Sequence, residues 1–237
     1  MDNKRGIEWP PLIPATLIKR YKRFLADVRL ENGEIVTAHC PNSGAMTGCC
    51  EPGRKVYISY HTDPKRKLKY TWQLIHMPDS LVGVNTMIPN RLVAQAVSRG
   101  FVPELSNYDT LVHEVRVSKG SRIDLLLKKD DNDCCYVEVK NCTLVKSGKA
   151  LFPDAVTLRG KKHLVELQRL VAEGHRCAMF YLIQRMDADR FSPADRIDPD
   201  YGKELRKAIS NGVEALAYDV FIDLRRIRLS RKIPCYI

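Results

Sequence analysis

Ser121-Arg122-Ile123-Asp124-Leu125-Leu126-Leu127 and Cys135-Tyr136-Val137-Glu138-Val139-Lys140 are two short apolar runs, each with an ionisable group set into it. Thirteen residues lie between Asp124 and Glu138, enough to finish one strand, turn, and return beside it. Side chains alternate faces along a strand, so Glu138 and Lys140 share a face. A hairpin therefore sets two carboxylates and an ammonium together on an apolar sheet. An unpaired charge at such a place is costly, which argues that it has a task. Two carboxylates and one ammonium are the minimal equipment for holding a divalent cation and activating a water beside a phosphate. A half-buried strand with a solvated face would carry the same Val-Glu-Val-Lys alternation, so the motif needs its context.

Charge supplies part of that context. The chain has 237 residues and a net charge of +11, with a pI near 9.3. Residues 1–86 hold 13 Lys/Arg against 8 Asp/Glu, and residues 87–237 hold 26 against 20. Basic character in both halves fits a polyanionic partner. No apolar run reaches the length of a membrane span and the N-terminus has no signal-peptide core, so a cytoplasmic protein is expected, with no membrane partner. The eight cysteines form no CxxC pair, which excludes common zinc spacings and fits free thiols.

Upstream of the hairpin the pattern is all-β. Residues 17–30 have strand-like stretches and end at Glu31-Asn32-Gly33-Glu34, a hairpin signal. Ile35–Cys40, Lys55–His61 and Lys69–His76 continue as strands around the basic loop Asp63-Pro64-Lys65-Arg66-Lys67. About five short strands with a basic loop fit an oligonucleotide-binding barrel over residues 1–86. Lys19, Arg20, Lys22 and Arg23, interleaved with Tyr21 and Phe24, are its best candidates for nucleic-acid contact.

From residue 87 strand and helix alternate. A helix is predicted at 92–99, strands at 111–118, 122–128, 134–140 and 176–183, and a long helix at 156–173. Leu158, Leu164, Leu167, Leu170 and Val171 form its apolar side, and Asp154 stands just before it in position to cap it. Residues 184–199 read as a loop, followed by a helix at 200–211 and strands at 213–222 and 226–235. The fold class is α+β: the barrel, then an α/β domain over 87–237 with a mixed sheet flanked by helices.

Asp124 and Glu138 are the expected metal ligands, with the backbone carbonyl of Val139 as a third oxygen for Mg²⁺ or Mn²⁺. Lys140 orients the water or stabilises charge at phosphorus. Glu114, one strand earlier, is a further acidic candidate. Arg159 and His163, four apart on the long helix, share a face that can reach a phosphate, with Lys161 and Lys162 extending it.

The Asp124…Glu138-x-Lys140 constellation resembles the PD-(D/E)xK nuclease superfamily, with Ile123 where the naming proline would stand. The whole chain resembles the sugar fermentation stimulation protein family. The resemblance is carried by residues 17–28 (Leu-Ile-Lys-Arg-Tyr-Lys-Arg-Phe-Leu-Ala-Asp-Val) and 39–46 (His-Cys-Pro-Asn-Ser-Gly-Ala-Met). It extends through Ser-Arg-Ile-Asp at 121–124, Val-Glu-Val-Lys at 137–140, residues 152–164 and Arg-Phe-Ser-Pro-Ala at 190–194. It implies an oligonucleotide-binding barrel joined to a PD-(D/E)xK nuclease-like domain. It also implies DNA binding without strong sequence preference and a role in regulating sugar (maltose) metabolism. A nuclease fold can serve as a binder alone. Three readings therefore stay open: a DNA-binding regulator, a Mg²⁺-dependent DNA phosphodiesterase, and an RNA-directed protein. Single- and double-stranded DNA are both compatible with the first two, and a homo-oligomer with each.

Overall fold

The computed structural model describes residues 6–130 and 133–237. Residues 131 and 132 lie outside the described residues, as do residues 1–5 of the expected barrel segment.

The first domain is a closed barrel built from β2 (Leu12–Tyr21), β3 (Leu25–Leu30), β4 (Ile35–His39), β5 (Lys55–Tyr60) and β6 (Tyr70–Met77), with β7 (Ser80–Gly83) added beside β6. Antiparallel pairing runs β4-β3-β2-β5-β6, and a parallel contact between β4 and β6 closes it. This is the oligonucleotide-binding topology that the strand count suggests. Its interior is filled by Leu17, Val28, Ile58, Trp72 and Ile75. The β2–β3 turn is not evident from sequence because it contains no glycine or asparagine. Lys22 and Arg23 take φ of 47° and 62° there, a left-handed conformation uncommon in such residues.

The second domain is a seven-stranded mixed sheet in the order β1-β16-β15-β13-β10-β9-β8. Its members are β1 (Ile7–Glu8), β8 (Thr110–Ser118), β9 (Ser121–Lys128), β10 (Cys134–Cys142), β13 (Arg176–Ile183), β15 (Glu214–Ile222) and β16 (Arg226–Lys232). Helix α1 (Ile88–Ser98) covers one face, and α2 (Leu158–Ala172) and α3 (Pro199–Ser210) the other. With the small-sheet strands between β10 and α2 set aside, the order α1-β8-β9-β10-α2-β13 is the α-β-β-β-α-β arrangement of a nuclease-like mixed sheet. β11 (Leu144–Lys146), β12 (Lys149–Phe152) and β14 (Arg190–Pro193) form a small separate sheet. Among the described residues no helix is long and apolar enough to cross a membrane.

The structure corrects several local expectations. α1 starts at Ile88 rather than Leu92, because Pro89 suits the first helical turn, where its missing N–H is no loss. The stretch read as a loop at 184–199 contains β14, whose partner β12 lies about forty residues away in sequence, beyond the reach of local pattern. α2 is capped by Thr157, whose hydroxyl accepts from the Gly160 N–H at 3.0 Å, and not by Asp154. Leu158 is not part of the apolar face of α2 but stands out in solvent.

The two domains are not beads on a string. β1 pairs with β16, and the Trp9 indole donates to the Asp223 carbonyl at 2.9 Å, so the chain enters the barrel from the second domain's sheet. Tyr57 and Leu74 on the outside of the barrel pack into the α1 core. A buried polar chain crosses the junction. Gln73 donates to Ser59 (2.9 Å), Asn85 donates to Gln73 (2.8 Å), and Gln184 donates to both the Asn85 carbonyl (3.3 Å) and Asn141 (2.8 Å). Asn141 follows Lys140 on β10, so the barrel is wired to the strand that carries the candidate site.

Candidate metal and phosphodiester site

Strand alternation in β10 sends Cys135, Val137 and Val139 into the α1 core, while Cys142 packs on the α2 side. Glu138 and Lys140 share the face of Cys142. β9 pairs with β10 from Lys128↔Cys134 to Leu125↔Val137, and the paired ladder stops there. In β9, Leu125 and Leu127 belong to the α1 core but Ile123 belongs to the α2 core, so the alternation breaks at Asp124. On the other side of β9 the β8 register passes from His113↔Leu125 to Val115↔Ile123, and the skipped Glu114 has φ +51°. Two local distortions thus meet where the acidic side chain is needed.

Asp124 is fixed from two directions. Its Oδ2 accepts from the Val139 N–H at 2.8 Å, and its Oδ1 accepts from the Asn90 side-chain amide at 2.7 Å. The N–H and C=O of one strand residue point to the same side, so the Val139 carbonyl is directed toward Asp124. Burial, and then the neighbouring Glu138 carboxylate, push the Asp124 carboxyl up to about 6.

Glu138 is 2 % exposed. Its Oε1 receives the Lys140 ammonium at 2.5 Å and is also paired with His163 Nδ1. Burial alone would raise the carboxyl, but Lys140 and His163 outweigh it and hold Glu138 below the usual carboxylate range. The second oxygen, Oε2, is buried with no hydrogen-bond partner in the protein. A buried, ionised oxygen left without a donor is costly, and a hard cation is the kind of partner that satisfies it.

The residues present therefore fit a divalent cation of the Mg²⁺ type. Among the described residues there is no cluster of three or more His, Cys, Asp or Glu side chains able to hold a metal. Asp124, Glu138 and the Val139 carbonyl make a sparse oxygen set, as suits an ion that keeps several waters. Such a cation, when bound, supplies positive charge beside a phosphate and lowers the pKa of water there. The chain's own groups do the rest: Asn90 and Val139 hold Asp124 in place, and His163 and Lys140 keep Glu138 ionised. Lys140, almost buried, holds its ammonium against Glu138 Oε1, where it would stabilise charge developing on a phosphate bound at this site.

A basic cleft of 420 Å³ adjoins this group, lined by Arg116, Gly120, Ser121, Arg122, Arg159, Lys162 and His163. Of the residues singled out in the sequence, the structure brings together Asp124, Glu138, Val139, Lys140 and His163, with Arg159 in the adjoining cleft. His163 is buried against Glu138 rather than open to solvent. Lys161 lies on the exposed side of α2 and pairs with Asp200 at 3.3 Å. Glu114 is not brought to the site: its inverted backbone turns the side chain outward to Arg122, 3.3 Å away. In the barrel, Arg20 donates to the carbonyls of Arg23 (2.9 Å), Asn42 (2.8 Å), Gly44 (3.0 Å) and Ala45 (3.3 Å), clamping the 42–45 loop to the β2–β3 turn. Lys19 faces Asp27 at 3.7 Å, and Lys22 and Arg23 stand exposed at the turn. Sequence reasoning missed Asn90. It lies 34 residues from Asp124, and only the Pro-Asn-Arg helix start hinted at it.

Comparison with known proteins agrees with this architecture. Residues 18–84 match the family profile described as the SfsA N-terminal OB domain, and residues 87–226 match that of the sugar fermentation stimulation protein RE domain. The sugar fermentation stimulation protein homolog of Geotalea daltonii is 54% identical over 225 residues, covering 95% of this chain and 97% of the relative. That of Geobacter sulfurreducens is 52% identical over 224 residues, covering 94% and 96%. The solved structure of Pyrococcus furiosus SfsA in complex with Ca²⁺ superposes with a TM-score of 0.89 at 25% identity, covering 98% of this chain and 99% of that one. With its barrel, its nuclease-like sheet and nearly its full length matched, the chain belongs to the sugar fermentation stimulation protein family.

Proposed function

We propose that this protein binds DNA without reading sequence and hydrolyses a phosphodiester with Mg²⁺ or Mn²⁺ at Asp124, Glu138 and Lys140. The observation that carries this reading is the unpartnered, buried Oε2 of an ionised Glu138 beside a second carboxylate. The Ca²⁺ complex of the Pyrococcus relative supports a hard cation. The basic cleft lined by Arg116, Arg122, Arg159 and Lys162 supports a phosphate backbone as the ligand. In this reading residues 1–86 contribute the binding barrel and residues 87–237 the nuclease-like domain. Eight free cysteines suit the reducing cytoplasm. The test is a cleavage panel of single-stranded, duplex and branched DNA with Mg²⁺ and with Mn²⁺. Cleavage that Glu138→Ala and Lys140→Ala abolish is expected. Absence of cleavage on every substrate with either metal would remove the catalytic reading.

One observation favours a second reading, a DNA-binding regulator that does not turn over. Glu138 Oε1 is already satisfied by Lys140 and His163 without any cation. The family's name links such a regulator to sugar metabolism. It predicts salt-dependent DNA affinity with no metal-dependent product; a competition between RNA and DNA distinguishes an RNA-directed protein.

A further inference from the structure

A cavity of 290 Å³ lies at the junction of the two domains, walled by barrel residues 42–44 and by the segment 152–157 that leads into α2. It is as large as about ten waters at roughly 30 Å³ each. Asn141 lines it, and Asn141 immediately follows Lys140 on β10, its side chain on the opposite face of the strand. The barrel loop approaches closely here. A Cβ at Gly44 would sit 3.0 Å from both carboxylate oxygens of Asp154, and Asp154 Oδ2 accepts from the Met46 N–H at 2.7 Å.

The chemistry of this cavity differs from that of the basic cleft. No Lys or Arg lines it, and Asp154 does. A phosphate is therefore disfavoured there, while a neutral polar ring is not. The Ser43 hydroxyl, the Asn141 side-chain amide and the Asp154 carboxylate line it, a mixed set of donors and acceptors; Asn141 Oδ1 accepts from Gln184 and Asp154 Oδ2 from Met46. Phe152 supplies an aromatic wall, held edge-on against Tyr201 at 5.2 Å. The rim is apolar. Met87 (69 %), Val156 (71 %) and Leu158 (82 %) are the three most exposed large apolar side chains among the described residues. Val156 lines the cavity, and the other two follow the lining residues Thr86 and Thr157 in sequence. Apolar side chains presented to solvent beside a basic cleft are what nucleic-acid proteins insert between bases to unstack them.

We propose that this cavity receives one unpaired nucleobase of a DNA strand whose phosphate lies in the basic cleft, with Val156, Leu158 and Met87 as the wedge that keeps it out of the stack. The proposal rests on the DNA-binding reading above and adds a preference for DNA containing an unpaired nucleotide. The hydrogen-bonding groups engage the edge of the base, and Phe152 meets its face.

The experiment compares two 20-base-pair probes in Ca²⁺ buffer with the full chain: a perfect duplex, and the same duplex with one extrahelical 2-aminopurine. The expected result is tighter binding of the second probe by roughly tenfold, equivalent to about 1.4 kcal/mol, with a change in 2-aminopurine fluorescence on binding. Val156→Ala/Leu158→Ala and Asn141→Ala should each collapse that ratio toward one. Leu224→Ala, an exposed apolar residue in the β15–β16 turn, should leave it unchanged. Equal affinity of the wild type for the two probes, or a ratio that survives both variants, overturns the proposal while leaving DNA binding intact. Absence of binding to either probe overturns the DNA-binding reading and this proposal with it.

Discussion

Asn90, in the first turn of α1, donates its side-chain amide to Asp124 Oδ1 at 2.7 Å and so joins a helix that leaves the barrel to the acidic strand of the sheet. The bond has an electrostatic effect as well as a positional one. Donation to the ionised form lowers the Asp124 carboxyl and partly offsets burial and the Glu138 charge.

Asn90→Ala should therefore raise the Asp124 carboxyl above its present value of about 6. Divalent-cation affinity at neutral pH should fall by about ten- to a hundredfold, as for other residues that orient a metal ligand. The pH profile of metal-dependent activity should move upward. Titrating Mg²⁺ against the thermal midpoint at several pH values checks both. An unchanged affinity and profile would show that Asn90 is only a packing residue.

Asp124→Asn should stabilise the metal-free protein at pH 7.5. The carboxyl rises from its usual 3.8 to about 6 on folding, so the folded state takes up the proton first as pH falls. The penalty is fully present above about 6 and is removed as pH drops toward 4. At about 1.4 kcal/mol per pH unit it is worth up to roughly 3 kcal/mol. Urea unfolding in chelator should show the variant more stable at pH 7.5 and nearly equal to the wild type at pH 4. Added Mg²⁺ should stabilise the wild type only.

His163→Ala leaves Glu138 Oε1 to Lys140 alone. Loss of a hydrogen bond to a buried charged group should cost about 1.5–3 kcal/mol in urea unfolding. Glu138 is held low in the folded state. The stability it contributes is thus present above the usual carboxylate pKa and lost as pH falls through the lowered one. Without His163 that loss should begin at higher pH. His163→Gln, which can still donate, should recover part of both effects.

Arg20 and its neighbours Lys22 and Arg23 should separate cleanly. Arg20→Ala removes four bonds to carbonyls and should destabilise the barrel by about 1.5–3 kcal/mol without changing the salt slope of DNA binding. Lys22→Glu/Arg23→Glu should leave stability almost unchanged and flatten that slope by about 0.9 for each phosphate that is no longer neutralised. The opposite assignment of the two effects would mean that Arg20 reaches the phosphates.

The parts legible in the sequence were those encoded locally. The hairpin of Asp124 and Glu138, the helix over Leu164, Leu167 and Leu170, and the Asn32-Gly33 turn each follow from periodicity or from one residue's backbone preference. What could not be read came from pairings distant in sequence or from strain. Asn90 meets Asp124 across the fold, β14 pairs with β12, and the inverted backbone of Glu114 withdraws a carboxylate that spacing offers to the site. Arg20 looks like a phosphate ligand in the sequence because a charge next to aromatics reads the same whether it faces solvent or four carbonyls.

The pairing of β1 with β16 means that the barrel is held at both ends of its chain, once where β1 hands over to β2 and again where β7 hands over to α1. A body attached by one strand can swivel, whereas one attached by two has little freedom beyond a hinge. A polymer bound across the barrel would thus be presented to Glu138 at a nearly constant angle and distance, the two domains serving as one jaw and its anvil.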